Sequence, residues 1–121
     1  DVKPHLIGKN IDVILINRGD INMPEEELLA DKSKYIACGE LKGGIDPAGA
    51  DEHWKTANSA LGRIRTAFGR NAPALFFVGA AIEASMAKEI FKQLKVGKLT
   101  HAANLNEEEQ VNDLVDWLLS L

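Results

Sequence analysis

The sequence predicts an α/β domain with a central mixed or partly parallel β-sheet flanked by helices. Short runs rich in Ile, Val and Phe alternate with longer segments whose apolar residues recur at helical spacing, and glycine-containing turns separate the two kinds. Size agrees, because 121 residues at 45% hydrophobic content suit one compact core and are too few for two. Residues 1–121 are therefore expected to form a single domain.

The elements follow in order. "NIDVILIN", residues 10–17, is short and almost continuously apolar, as expected of a strand covered on both faces and central in its sheet. "NRGDIN" breaks it, and "PEEELLAD" then places Pro24 at the start of a short surface helix with acids in its first turn. "YIACGEL", from Tyr35, is the second strand. Gly43, Gly44, Pro47 and Gly49 make a loop, after which Asp51 is expected to cap a helix whose Trp54, Ala57, Leu61, Ile64 and Phe68 share a face. "ALFFVGA", from Ala74, reads as a third buried strand, followed by a helix through Met86, Ile90 and Leu94 that stops at Gly97. In the last stretch Asn106 is the expected N-cap and Glu107 to Glu109 favour the first turn. Val111, Leu114, Val115, Leu118 and Leu119 then form an apolar stripe. The expected order is strand, strand, helix, strand, helix, with a final helix.

Several function classes drop out. No apolar run has the length of a membrane span, and "DVKPHLIGKN" lacks the pattern of a secretory signal, so a soluble, cytoplasmic protein with no membrane partner is expected. Cys38 is the single cysteine, which excludes an internal disulfide or a cysteine-based zinc site, and its apolar neighbours suggest a buried, unreactive thiol. "GGIDPAGA" has neither the Gly-Lys-Ser/Thr ending of a P-loop nor the GxGxxG pattern of a dinucleotide site, so nucleotide binding is set aside. The net charge of −4 argues against indiscriminate nucleic-acid binding, yet it is unevenly spread. From His53 to Ile82 there is no acid, and Lys55, Arg63, Arg65 and Arg70 give that segment +4, leaving −8 on the remainder. Such a basic face suits either a phosphate backbone or plain solvent.

The second strand ends in charge. Residues two apart on a strand share a face, roughly 6 to 7 Å from each other, so Glu40 and Lys42 are neighbours on the face entered by Ile36 and Cys38, while Leu41 points the other way into packing. If the first two strands pair as an antiparallel hairpin, Asp12 converges on the same end. Two carboxylates and a lysine there suit a divalent metal: Asp12, Glu40 and the Leu41 carbonyl are enough protein ligands for Mg²⁺, which keeps several waters. Lys42 would hold or polarise an attacking water and offset charge at phosphorus. Taken alone, the Glu40-to-Lys42 triplet equally fits a surface ion pair at a strand end. Asp12 tips the balance, because a carboxylate inside an apolar strand is costly to desolvate without a partner.

Asp12, followed by Glu40-Leu41-Lys42 on the next strand, resembles the catalytic signature of the PD-(D/E)xK nucleases, with Ile11 in place of the usual Pro. More closely, "CGELKGGIDPAGADEHWKTANSALGRIR" is similar to the catalytic region of type II restriction endonucleases of the BsoBI/AvaI type. The resemblance implies a restriction-endonuclease-like core, double-stranded DNA as substrate, cleavage at CYCGRG by a homodimer, and Mg²⁺ as cofactor, with Mn²⁺ able to substitute. It implies metal ligation by Asp12 and Glu40, a water-orienting Lys42, a catalytic part for His53, and base contact by Asp46. Members of that group are longer, so a helical segment ahead of the catalytic portion is expected to complete the DNA-binding surface.

The residues themselves leave alternatives open at these positions. His53 is expected in the first turn of its helix, where the macrodipole favours a neutral ring suited to a general base, and a capping or solvent-facing histidine fits equally. Asp46 either accepts from a cytosine amine in the major groove or is a turn aspartate before Pro47. Lys55, Arg63 and Arg65 are candidate contacts to DNA backbone, with no more than two or three of the basic residues able to face one way. A structure-selective repair or recombination nuclease, and a non-catalytic binding module of the same fold, are the competing functions.

Overall fold

The computed structural model describes residues 11–17, 19 and 22–121. Four strands form one sheet in the order β1-β2-β3-β4: β1 is Val13–Ile16, β2 Tyr35–Lys42, β3 Ala74–Gly79 and β4 His101–Asn104. β1 runs antiparallel to β2, while β2, β3 and β4 are mutually parallel, so the sheet is mixed. The helices are α1 (Glu25–Ala30), α2 (Pro47–Phe68), α3 (Ala84–Val96) and α4 (Glu108–Ser120). Among the described residues no helix is long and apolar enough to cross a membrane.

Two cores sandwich the sheet. On one face Trp54, Leu61 and Ile64 of α2 and Met86 and Ile90 of α3 pack on Cys38, Leu75 and Phe77. On the other, Leu114 of α4, with Trp117 and Leu118 at its edge, covers Ala37, Phe76, Val78 and Ala103. Two parallel crossovers that step the same way across a sheet place both helices on one face when each is right-handed. α2 and α3 are those crossovers, and α4 closes the opposite face. Aromatic contacts tie the layers together: Trp54 meets Phe77 edge-on at 5.0 Å, Tyr35 meets Phe68 at 4.9 Å, and Phe76 meets Trp117 at 6.0 Å.

Several expectations need correction. Of the strand expected over residues 10–17, residue 10 lies outside the described residues and Val13–Ile16 forms the strand, which lies at the end of the strand order. Its apolar run has a different cause from central position: Ile14 faces one core while Val13 and Leu15 face the other, so both faces need apolar side chains even at an end. Asp12 sits in the bend before the strand and is exposed. α2 starts at Pro47, four residues ahead of Asp51, because Asp46 accepts from the Ala48 N–H at 3.0 Å and Pro47 occupies the first helical position. α4 is capped at Glu107 in place of Asn106, whose side-chain amide donates to the Ala80 carbonyl. Within its stripe Leu114 is buried, but Val115 and Leu119 are exposed. β4 carries "HAAN", with no β-branched residue to signal a strand.

Gly39 shows why β2 has the sequence it has. Gly39 and Phe76 are Cα partners, and the Phe76 ring lies so close over the glycine that an added Cβ would come within 2.2 Å of ring carbons. The missing side chain is what lets Phe76 reach Trp117. Gly39→Ala is therefore expected to cost about 1–3 kcal/mol through overpacking. The measurement is a lower denaturant midpoint at unchanged m-value; an unchanged midpoint would mean that Phe76 and Trp117 repack without cost.

Candidate active site

The antiparallel register Val13↔Gly39 brings Asp12 level with Glu40. Two hydrogen bonds then cross between them. The Asp12 backbone N–H donates to Glu40 Oε2 at 2.9 Å, and the Leu41 backbone N–H donates to Asp12 Oδ2 at 2.8 Å. β1 ends at Val13, so Leu41 has no ladder partner there, and the Asp12 side chain takes that place. N–H and C=O of one residue in an extended strand point to the same neighbour. The Leu41 carbonyl accordingly faces the Asp12 side.

Glu40 is the one buried polar or charged side chain among the described residues, at 3% exposure. Its strand neighbour Cys38 is fully buried, and burial pushes that thiol up to about 12, which leaves it protonated and inert as expected. Burial likewise raises the Glu40 carboxyl above its ordinary value of 4.5. The hydrogen bond from Asp12 pulls the other way, the Asp12 charge adds to the rise, and the positive charges of Lys42 and Arg63 lower it without cancelling the effect. The only ion pair within 4.0 Å among the described residues is Lys55 to Asp51, at 3.0 Å. Among the described residues neither Asp12 nor Glu40 has a cationic side chain at salt-bridge distance.

The remaining candidates gather near this end of the sheet to different degrees. Lys42 is half-buried on the Glu40 face, and its carbonyl accepts from Ala80 N–H at 2.9 Å, which fixes the strand end. Leu41 is 41% exposed and does not enter packing, because β2 outruns β1 on that side. His53 is the seventh residue of α2 and so lies in its second turn, beyond the strongest helix-start field assumed for it. Its ring is exposed and lies over the loop: a Cβ on Gly44 would be 2.8 Å from His53 Cε1. Asp46 accepts through Oδ1 at the α2 cap, and among the described residues no hydrogen bond engages Oδ2. The Asp-Pro pair that makes this cap was readable in "GGIDPAGA", where the glycines drew attention to a longer loop instead.

The basic residues of α2 diverge. Arg63 and Arg65 are two apart, about 200° around the helix. Arg63 acts on Glu40, whereas Arg65 is turned to α3, donating to the Lys98 carbonyl at 3.2 Å and to Gln93 Oε1 at 3.4 Å. Lys55 is held by Asp51 on the exposed surface. Of the three predicted DNA contacts only Arg63 is electrostatically linked to the carboxylates, a role that the helix arithmetic could have singled out.

Among the described residues no third His, Cys, Asp or Glu joins Asp12 and Glu40 in a metal-ligating group. The donor set is nevertheless right for a hard divalent cation: two carboxylates, one of them buried, and a backbone carbonyl on the same side. Remaining ligands would be water or a phosphate oxygen.

Comparison with known proteins agrees with this geometry. The family model described as "Restriction endonuclease BsobI" matches residues 1–121. The chain is 55% identical over 123 residues to the type II restriction enzyme AvaI of Nostoc sp., and equally to AvaI of Anabaena variabilis, covering 100% of this chain and 39% of each relative. It is 50% identical over 118 residues to the type II restriction enzyme BsoBI of Geobacillus stearothermophilus, covering 96% of this chain and 36% of that relative. The chain thus spans about two-fifths of the length of the curated relatives it matches. With a mixed sheet flanked by helices and paired carboxylates at the end of β2, the chain belongs to the BsobI restriction endonuclease family.

Proposed function

We propose that this chain carries the catalytic centre of a Mg²⁺-dependent type II restriction endonuclease that hydrolyses both strands of double-stranded DNA at CYCGRG as a homodimer. The observation that carries the reading is the buried Glu40 carboxylate, clasped to Asp12 and, among the described residues, with no cationic side chain within salt-bridge distance. A protein tolerates such a group when a cation is its intended partner. The relatives, named as type II restriction enzymes, give the substrate class. The palindromic site and the two-fold assembly rest on the same likeness.

Asp12, Glu40 and the Leu41 carbonyl would hold the metal, which when bound supplies Lewis-acid stabilisation of charge on the phosphate oxygens. The rest is done by side chains. Lys42 on the Glu40 face orients the attacking water and balances charge developing at phosphorus. His53, held over Gly44 at the rim, takes the proton from that water. Arg63 places positive charge near the carboxylates and engages backbone phosphate, with Lys55 at the periphery. The free Oδ2 of Asp46 reads a base while Oδ1 keeps the loop rigid through the α2 cap.

The test is cleavage of a plasmid carrying one CYCGRG site by the full-length chain, with Mg²⁺ and with EDTA. Linearisation at that site with Mg²⁺ alone is expected. Cutting at branches without a fixed position would favour a structure-selective nuclease, and no cutting by a folded protein that also fails to bind Mn²⁺ would leave a binding module. Lys42→Ala is expected to lower turnover about 10²- to 10³-fold with unchanged thermal melting. Asp12→Asn keeps an acceptor for the Leu41 N–H and should lose cutting and metal binding while the fold persists.

Metal-free stability supplies an independent prediction. A carboxyl whose pKa is raised in the fold stabilises it fully below the ordinary value of 4.5, and loses that contribution as pH rises through the raised value. At neutral pH, Glu40→Gln should therefore melt higher than the wild type in EDTA, with the difference vanishing at low pH. Mg²⁺ should reverse the order by stabilising only the wild type. Equal melting of the two proteins in EDTA across this range would show that Glu40 carries no uncompensated charge.

A further inference from the structure

We propose that the lysine face of α3 is a second contact surface for the DNA phosphate backbone, separate from the Asp12, Glu40 and Lys42 centre. The proposal rests on the nuclease reading. At 100° per residue, Lys88, Lys92 and Lys95 fall within about 60° of one another around the helix, and all three are exposed. Lys98, just past the Gly97 cap, joins Lys88 and Lys92 along a groove of about 610 Å³ that Glu89, Gln93 and Val96 also line. Residues 84–98 hold four lysines against one acid, Glu89.

That acid also meets α2. Glu89 accepts from the Asn58 side-chain amide of α2 at 3.4 Å, on the seam between the helices. Gln93 donates to Asn58 Oδ1 at 2.8 Å in the same seam, and Arg65 donates to Gln93 and to the Lys98 carbonyl. The seam thus ties α3 to α2 and leaves three lysines, Lys88, Lys92 and Lys98, along the groove against the single carboxylate of Glu89. None of the four lysines forms an ion pair within 4.0 Å among the described residues.

Stability does not explain this arrangement. Lys95 complements the helix C-terminus, but Lys88 and Lys92 are like charges four apart, which disfavours the helix. A polyanion is the ligand that turns that repulsion into binding. From Lys88 to Lys95 the helix spans about 10 Å, a length over which a duplex presents roughly six phosphates. Lysines offer point charge without base reading, so the contact would position DNA and not specify sequence. α3 begins shortly after the carboxyl end of β3, beside the end of β2 that carries Glu40 and Lys42, so its first turns adjoin the cutting centre.

The experiment uses the full-length chain in EDTA and a fluorescent 30-bp duplex lacking CYCGRG, titrated across a series of NaCl concentrations. Lys88→Gln/Lys92→Gln is expected to reduce the slope of log K against log[NaCl] by nearly two, since each lost phosphate contact removes about 0.9. The charge-matched Lys32→Gln/Lys34→Gln protein, altered on the turn before β2, should keep the wild-type slope. An unchanged slope in the first variant, or an equal fall in both, would overturn the proposal, the second outcome showing a net-charge effect. If the wild type neither binds this duplex nor cuts its plasmid, it is the nuclease reading that fails; if it does both and the α3 variant behaves like it, only the lysine face is refuted.

Discussion

The crossed hydrogen bonds between Asp12 and the end of β2 are the constraint on which the site depends. One uses the Asp12 N–H and the Glu40 carboxylate, the other the Leu41 N–H and the Asp12 carboxylate, so each acid orients the backbone that carries its counterpart. Their geometry exists only in the Val13↔Gly39 register. A slip of one residue would turn Asp12 to the opposite face of the sheet and send Ile14 from the α2 core to the α4 side. The apolar alternation of Val13, Ile14 and Leu15 between two cores therefore sets the separation of two carboxylates. Packing chooses the register, and the register builds the site.

Glu40 stores the tension in this design. Burial keeps its carboxyl biased towards the proton, while the Asp12 N–H and the charges of Lys42 and Arg63 bias it towards the anion. Lys42 does not resolve the conflict by closing an ion pair, since no cationic side chain reaches either acid within 4.0 Å among the described residues. A lysine committed to a carboxylate would be unable to orient water. Lys42 and Glu40 thus act on one another through space, without direct contact. The fold thus tolerates a local electrostatic cost at the end of β2.

Most of the framework was legible in the sequence. Helical spacing found α2 from Trp54 to Phe68 and α3 up to Gly97, because both helices bury one clear stripe and Gly97 adopts the left-handed φ of 82° that ends α3. The antiparallel pairing needed to bring Asp12 to Glu40 was anticipated and is present. β4 was not, since Ala102 and Ala103 carry no strand preference and are held in the sheet by pairing with Phe77 and Val78. The start of α2 was misplaced because two residues compete for the cap. Asp51 has the right residue type, but Asp46 has Pro47 behind it, and that proline both fits the first helical position and cannot donate. The correction moved His53 away from the helix start, so its candidacy now rests on the ring lying over Gly44 and not on a dipole. Individual basic residues were the least legible, because the fate of Arg65 depends on the Lys98 carbonyl arriving from another element.

Net charge is a poor guide to the partner of such a protein, and the sheet explains why. From residue 99 to 121 there is no Lys or Arg, and α4 carries Glu108, Glu109, Asp113 and Asp116. α2 and α3, on the other face, carry Lys55, Arg63, Arg65, Lys88, Lys92 and Lys95 against Asp51, Glu52 and Glu89. Layers packed about 10 Å apart put α4 roughly 20 Å from the basic helices. The Debye length at physiological ionic strength is about 8 Å, so the acids of α4 are screened from a ligand lying on α2 or α3. The −4 total is then an average over two faces that a polyanion would meet separately. An acidic protein whose two faces differ in charge this way offers a polyanion one surface far less repulsive than the other.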